Sequence, residues 1–343
     1  MMVGIGVVGA GYWGPNLIRN FTAIEKCHLR GVCDHSDTRL TAMQNLYPDV
    51  KMSRDLKELL DDPEIKGIAV ATPVATHYDL ATRILKSGKS VFVEKPLART
   101  SQECRDLISL AAERNLSLMV GHTFVYNPAV SYIGNLIENG DLGEVYYIYC
   151  QRLNLGLVRQ DVNAMWNLAP HDISIALHWL SSMPVSVNAK GHTYLQDGVE
   201  DVVYIDLEFG NGVAVHIHVS WLDPNKVRRI TVVGSEKMAV YDDVSPEAKV
   251  QLFDKGIDRH RINASLGEFD SFGKFQLAKR AGDILIPKID LVEPLRVECC
   301  HFVDCIENDC EPITSGESGM HVVRTLEAAT LSLKKDGVSI PIN

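Results

Sequence analysis

The sequence predicts an α/β fold in which a doubly wound parallel sheet leads into a second, antiparallel-rich α+β domain. Three observations carry this. Apolar strand-like runs alternate with helix-period segments through the first third of the chain. The first run ends in Gly9, Gly11 and Gly14, with a helix-period stretch directly behind them. After Gly121 the rhythm changes to short segments of strict apolar–polar alternation.

The run from Val3 to Val8 reads as a short buried strand. Its glycines stand at the G-x-G-x-x-G spacing of a Rossmann turn, and Pro15 sits where a first helical turn tolerates proline. Leu17, Ile18, Phe21 and Ile24 recur at helical spacing behind it. In such a turn Gly9 allows the tight bend, Gly11 lets a pyrophosphate approach the backbone, and Gly14 lets helix and strand pack closely. The helix N-terminus offers N–H groups to the phosphates. Tyr12 and Trp13 lie inside the loop and count among the cofactor-binding candidates. The next strand, from His28 to Cys33, ends at Asp34, twenty residues after Gly14. A carboxylate there accepts hydrogen bonds from both hydroxyls of an adenosine ribose and repels a 2′-phosphate, so the expected cofactor is NAD. Arg39 falls on the following helix, a place that does not mark it as a 2′-phosphate ligand.

The remaining elements follow in order. Helices are predicted over 38–46, 55–60, 76–86 and 101–114, and strands over 65–71, 90–93 and 116–120. Thr72, Pro73, His77, Glu94 and Lys95 all fall at or near the carboxyl edge of this sheet, where such folds bind ligands. Beyond it come a helix over 127–137, an extended aromatic segment over 144–154 and a helix within 164–181. Val203, Ile205, Leu207 and Phe209 then alternate with polar neighbours, Asn211-Gly212 marks a hairpin, and Val215, Ile217 and Val219 alternate with His216 and His218. Strands over 227–233 and 237–241 and two closing helices complete the pattern, with 256–292 unassigned. The division is drawn at 1–123 for the dinucleotide-binding domain and 124–343 for a substrate-binding and oligomerisation domain.

At 343 residues the chain has room for two domains, and 46% hydrophobic with 23% charged residues is ordinary for a globular protein. A net charge of −10 without a basic block argues against general nucleic-acid binding. No apolar stretch is long enough to span a membrane, and the apolar N-terminus breaks into glycines without the basic region of a signal peptide. The eight cysteines contain no C-x-x-C, which suits reduced thiols in a cytoplasmic protein. Cys300, His301 and Cys305 make a poor zinc site, so no metal is expected.

A dinucleotide site implies hydride transfer, and oxidising a secondary alcohol also needs a group that takes the hydroxyl proton. Lys95, after a buried strand and before Pro96, is one candidate to meet that hydroxyl; a surface turn lysine is the plain alternative. His171 is the other, following Pro170 at what reads as a helix start, where the positive helix end favours the neutral ring.

The glycine motif, Ala71-Thr72-Pro73 with His77, Glu94-Lys95-Pro96, and Asn167-Leu168-Ala169-Pro170-His171 together resemble the glucose–fructose oxidoreductase, inositol dehydrogenase and rhizopine-catabolism family over essentially the whole chain. The resemblance implies a second domain built on a large open sheet and a homodimer or homotetramer formed through that sheet. It implies that Lys95 polarises the reacting hydroxyl and that Glu94 and a Lys95–Pro96 peptide, often cis, shape the nicotinamide pocket. Thr72, Pro73 and His77 would line the cofactor, and His171 would be the catalytic histidine. Many members carry Asp-x-Gly-x-His where this chain has Asn167-x-Ala169-x-His171, so a charged partner is missing; Asp172 or Asp161 is a candidate substitute. Tyr126, Asn127, Arg152, Arg159, Asn163, Trp166 and Asn167 lie in segments resembling the branch that acts on nucleotide sugars at C3. Arg152 and Arg159 suit a diphosphate or carboxylate, and Tyr126, Asn127 and Asn163 suit hydroxyls or an amide, although each also fits a loop cap or subunit contact. Two other expectations stand beside this one: a dehydrogenase of a free polyol such as inositol, and an NAD(H)-binding sensor or scaffold without chemistry.

Overall fold

A computed structural model describes residues 2–156, 158–257 and 279–342. The chain divides into two compact units, Met1–Asn127 with Val292–Glu327, and Pro128–Leu291 with Ala328–Asn343.

The first unit is built on a parallel sheet of β1 (Val3–Val8), β2 (Cys27–Cys33), β3 (Lys51–Ser53), β4 (Ile65–Val70), β5 (Ser90–Glu94) and β6 (Leu118–Gly121). The order is β3-β2-β1-β4-β5-β6, the doubly wound arrangement, with its switch point between β1 and β4. Every residue of β1 is buried, because helices cover both faces of such a sheet. The crossovers carry α1 (Gly14–Ala23), α2 (Asp37–Leu46), α3 (Leu56–Asp61), α4 (His77–Lys86) and α5 (Ser101–Glu113). Side chains cap three of them: Ser36, Asp55 and Thr100 accept from the backbone N–H of Arg39, Lys57 and Glu103. The three-residue β3 lies on the sheet edge and has no apolar alternation to announce it.

The second unit contains α6 (Pro128–Glu138), β7 (Val145–Leu153), α7 (Ala164–Leu180), β8 (Pro184–His192), β9 (Val202–Phe209), β10 (Ala214–Ser220), β11 (Val227–Gly234), β12 (Met238–Asp242), β13 (Val250–Ile257) and β14 (Lys279–Leu285). With β15 (Ile340–Pro341) these strands form one sheet in the order β14-β13-β12-β11-β7-β10-β9-β8-β15. Among the described pairs β7–β10 is parallel and the others antiparallel. Alternation assigns the faces. Ile148, Cys150, Val203, Ile205, Leu207, Val215 and Ile217 are buried, and α7 packs against β7, β9 and β10. Tyr147, Tyr204, His216 and His218 point the other way, with the Tyr204 and His218 rings stacked at 4.2 Å. Strands β8, β13 and β14 lie outside the predicted set, and part of the unassigned stretch, 258–278, is outside the described residues.

The chain returns to the first unit through α8 (Pro294–Asn308), and the division between units falls inside α9 (Gly316–Leu333). This corrects a boundary that gave everything after 123 to the second domain. The reason is apolar burial. Leu295, Cys299, Phe302 and Val303 of α8 join the first unit's core, and the Phe302 ring stands edge-on to Phe21 and Phe92 at 6.3 and 5.8 Å. Burying such a ring contributes about 1.5–3 kcal/mol. All eight cysteines are free, and among the described residues no cluster could hold a metal. No described helix is long and apolar enough to cross a membrane.

Candidate active site

The glycine turn is a cradle that side chains would close. Gly9 has φ +97°, and a Cβ there would lie 2.7 Å from the Ala71 carbonyl oxygen. A Cβ on Gly14 would overlap the Gly9 carbonyl oxygen. Helix α1 begins at Gly14 with Pro15 in its first turn and no side-chain cap, so its N-terminus stays available to an anion. At the end of β2, Asp34 Oδ2 accepts from Ala10 N at 2.7 Å and Oδ1 from Ser36 N at 2.8 Å. Each oxygen keeps a second lone pair for a ribose hydroxyl. Arg39 lies 3.7 Å from Asp34 Oδ2, so α2 turns it back towards the carboxylate. Tyr12 is 96% exposed, whereas the Trp13 side chain hydrogen-bonds to Glu94. The residues present therefore fit a dinucleotide with unphosphorylated ribose.

Thr72 and Pro73 follow β4, with Thr72 Oγ1 2.7 Å from Thr76 Oγ1. His77 is buried, its Nε2 2.8 Å from the Thr72 carbonyl and its Nδ1 2.9 Å from the Pro96 carbonyl. Burial lowers its pKa, against the pull of these carbonyls and that of Leu97. Both ring nitrogens face backbone carbonyl oxygens, and the neutral ring donates its one N–H to one of them. It lies between the turn after β4 and the Lys95–Pro96–Leu97 segment after β5. The Lys95–Pro96 peptide is cis. Beside it, burial raises the Glu94 pKa to about 7, with Lys95 and the Trp13 hydrogen bond opposing.

Several expected substrate ligands have other work. Tyr126 is 5% exposed, its hydroxyl 2.9 Å from Thr314 Oγ1 and accepting from Thr314 N at 3.3 Å, which makes it a core residue of the first unit. Asn127 is likewise buried. In the second unit Arg152 shares the inward parity of Ile148 and Cys150 on β7 and grips Asp172 bidentately, at 2.8 and 2.9 Å. Its fork is thus occupied by a buried carboxylate, and Asp172 serves Arg152 with both oxygens. Asn163 caps α7: Oδ1 accepts from Trp166 N at 3.0 Å, and Nδ2 donates to Glu200 at 2.7 Å. Trp166 donates its indole N–H to Thr330, leaving only the ring face for a ligand. Asn167 Oδ1 accepts from Trp221 at 3.4 Å. Arg159 pairs with Asp161 at 2.8 and 2.5 Å, but this pair is exposed.

His171 lies within α7, seven residues after its first residue, and does not open a helix. Pro170 is an interior proline, and Asn163 rather than Pro170 marks the start. The helix-end field fades beyond the first turn, so it does not set the protonation of His171. The carbonyl of His171 accepts from Ser174 Oγ at 2.8 Å. Sequence reasoning passed over His122 and Glu298, which lie beside Glu94. His122 follows β6 at the ligand-binding edge, a signal within reach. Glu298 comes from α8, 204 residues after Glu94 in the chain (298 − 94), and has no local signal.

The sheet order, glycine cradle and ribose acid define a dinucleotide-dependent oxidoreductase. Residues 3–122 match the oxidoreductase family with NAD-binding Rossmann fold, and residues 130–240 match the GFO/IDH/MocA C-terminal domain. The chain belongs to this family, and its cofactor is NAD. An oxidoreductase of Streptococcus pneumoniae is 26% identical over 61% of this chain, which spans 60% of that protein's length. An inositol 2-dehydrogenase of Saccharopolyspora erythraea is 28% identical over 64% of this chain and 67% of its own. A UDP-N-acetylglucosamine 3-dehydrogenase of Acidithiobacillus ferrooxidans is 26% identical over 69% and 73%. The solved structure of that enzyme superposes over 98% of this chain and 99% of its own, with TM-score 0.82 and 21% identity. GenD2 from gentamicin A biosynthesis, solved with NAD, gives TM-score 0.81 and 24% identity over 100% of this chain and 97% of its own.

Proposed function

We propose that this chain is an NAD-dependent dehydrogenase of a sugar secondary alcohol, with C3 of a UDP-N-acetylhexosamine or its uronate as the reacting centre. The observation that supports the reading is the position of Lys95, directly after β5 at the same sheet edge as the glycine cradle. Gly9, Gly11, Gly14, Asp34, Thr72 and Pro73 would hold the dinucleotide, with Tyr12 and Trp13 at its border. When bound, NAD supplies the hydride acceptor. Lys95 orients the hydroxyl and stabilises negative charge developing on its oxygen. His171 takes the hydroxyl proton on oxidation and returns it on reduction. Asn167 orients its surroundings by hydrogen bonds, because neither Asp172 nor Asp161 is free of an arginine. The enzyme is expected in the cytoplasm, as a homodimer or homotetramer formed through the outer face of the second unit's sheet.

The inositol 2-dehydrogenase relative supports a second reading, a free polyol as substrate. Nicotinamide absorbance after mixing protein and NAD with UDP-N-acetylglucosamine, its uronate, inositol or glucose separates the two. A carbonyl trap or partner aminotransferase in the mixture draws an uphill oxidation forward. Reduction with nucleotide sugars alone supports the first reading; reduction with inositol supports the second. Lys95→Ala should abolish turnover and retain NAD binding. Wild-type turnover in that variant would remove Lys95 from the mechanism. Tight NADH binding without turnover on any sugar would point to a sensor.

A further inference from the structure

Three ionisable side chains of the first unit are buried around the end of β5 with only part of their hydrogen-bonding capacity met. Glu94 ends β5, His122 follows β6, and Glu298 lies on α8. His122 is 2% exposed and Glu298 is fully buried. Glu94 is partly exposed as a residue, yet its Oε1 is sealed from solvent. Among the described residues, Glu94 Oε1, Glu298 Oε1 and both ring nitrogens of His122 have no hydrogen-bond partner. So many unmet atoms in one place mark a site with a task rather than a packing accident. The other oxygen of Glu298 accepts from Thr123 Oγ1 at 2.7 Å.

We propose that Glu94, His122 and Glu298 hold protons in common and set the charge around Lys95, acting as positioning residues for its role in the reaction. The proposal rests on the reading of Lys95 given above. Two buried carboxyls that feel each other cannot both ionise cheaply. Burial pushes Glu298 well above its ordinary range, Glu94's charge adds to this, and Thr123's hydrogen bond opposes it. Burial thus favours the protonated form of Glu298. With Oε2 accepting from Thr123, a proton on Glu298 would sit on Oε1. Burial and the Lys95 charge push His122 down to about 3, so its ring stays neutral, with one N–H and one bare nitrogen. Glu94 titrates at about 7 and alternates between acceptor and acid. The set thus holds a donor, a two-way group and a switchable acceptor, and internal water is the natural relay between groups not directly bonded.

Cys299 and Tyr126, which also lie beside the cluster, stay neutral. Burial raises the Cys299 thiol on α8 well above its ordinary value, with the charges of Glu298 and Glu94 adding, and burial raises Tyr126 in the same sense. Trp13 is uncharged. Glu94, pushed up to about 7, changes charge around neutrality, and when ionised it provides an adjacent counter-charge for a Lys95 ammonium. Its raised pKa has a thermodynamic sign: the fold holds this proton above 4.5, where the unfolded chain releases it, so Glu94's contribution to stability falls as pH rises to about 7.

Infrared spectra of the substrate-free protein between about pH 5 and 9 test the cluster directly. Two protonated-carboxyl bands are expected. One persists at the upper end and is lost in Glu298→Gln; the other fades with a midpoint of about 7 and is lost in Glu94→Gln. The pH profile of kcat/KM should carry a limb at the same midpoint, absent from Glu94→Gln. Glu298→Leu, which removes a donor, should move that limb upward by about one unit. Glu298→Gln, which keeps a donor, should leave it in place and so separates a lost donor from a damaged fold. Absence of both bands, or one unchanged limb in all three variants, overturns the proposal even if Lys95→Ala is inactive. Both bands present with full turnover in Lys95→Ala would instead overturn the Lys95 reading, and with it the assignment of these groups to the reaction.

Discussion

Arg152 offers the sharpest test of how this protein uses its arginines. Its guanidinium and the Asp172 carboxylate meet at 2.8 Å with side-chain exposures of 6% and 1%. Arg152→Met keeps most of the aliphatic volume and removes the fork, leaving a buried carboxylate without its arginine. Breaking a buried pair from one side costs about 3–5 kcal/mol. For a unit of this size each kcal/mol moves Tm by roughly 2–4 °C, so a fall of about 6–20 °C is expected. The double variant Arg152→Met, Asp172→Leu removes both charges and should recover to within about 1 kcal/mol of the parent, or exceed it. Thermal unfolding and urea denaturation, each followed by circular dichroism, measure the two quantities. A single variant of parental stability with a strongly raised KM would refute the reasoning, because the fork would then be spent on substrate.

Two further variants probe the cradle and the exposed pair. Gly14→Ala drives a Cβ into the Gly9 carbonyl, a backbone clash that no side-chain rotation relieves, at a cost of about 1–3 kcal/mol. NADH affinity should fall at least about tenfold by fluorescence titration, and parental affinity would show that the turn opens freely. Arg159→Ala should leave stability within about 1 kcal/mol, as for any exposed pair. It should raise KM for a nucleotide sugar about tenfold while leaving any free-sugar activity unchanged; an unaltered nucleotide-sugar KM would remove Arg159 from recognition.

The first sheet is legible in the sequence because its strands are buried on both faces and its helices show one apolar stripe, so period and run length coincide with the elements. The glycine cradle is legible because all its parts are local. The second unit is harder. In β8 the buried positions Pro184, Val187 and Ala189 are not evenly spaced, since the register shifts between Pro184 and Ser186. The site residues fail in instructive ways. The parity of β7 already places Arg152 with Ile148 and Cys150, yet residue type outweighs period when an arginine is read as a surface ligand. Asn163 carries the signature of a helix cap, immediately ahead of an apolar helical run. Pro170 reads as a helix start because an interior proline forfeits a hydrogen bond, a cost this helix bears. For Tyr126 no local signal exists, since its partner Thr314 is 188 residues away.

The two arginines expected to meet an anionic substrate differ in what they can release. Each holds an aspartate bidentately through Nε and Nη2, and a diphosphate that takes this same edge has to displace that aspartate. Arg152 cannot make the exchange cheaply, because Asp172 would remain sealed in the second unit with its charge uncompensated. Arg159 can, because Asp161 is 54% exposed and returns to water when released, and an exposed pair is worth only about 0–1 kcal/mol. Gln196 donates to the Arg159 carbonyl at 2.9 Å, which anchors the backbone while the side chain stays able to swing. A nucleotide sugar would therefore be gripped from the 159–161 segment, whereas a free polyol needs neither arginine. On the nucleotide-sugar reading proposed above, Arg159 trades Asp161 for a phosphate, and the Arg159→Ala variant tests that exchange.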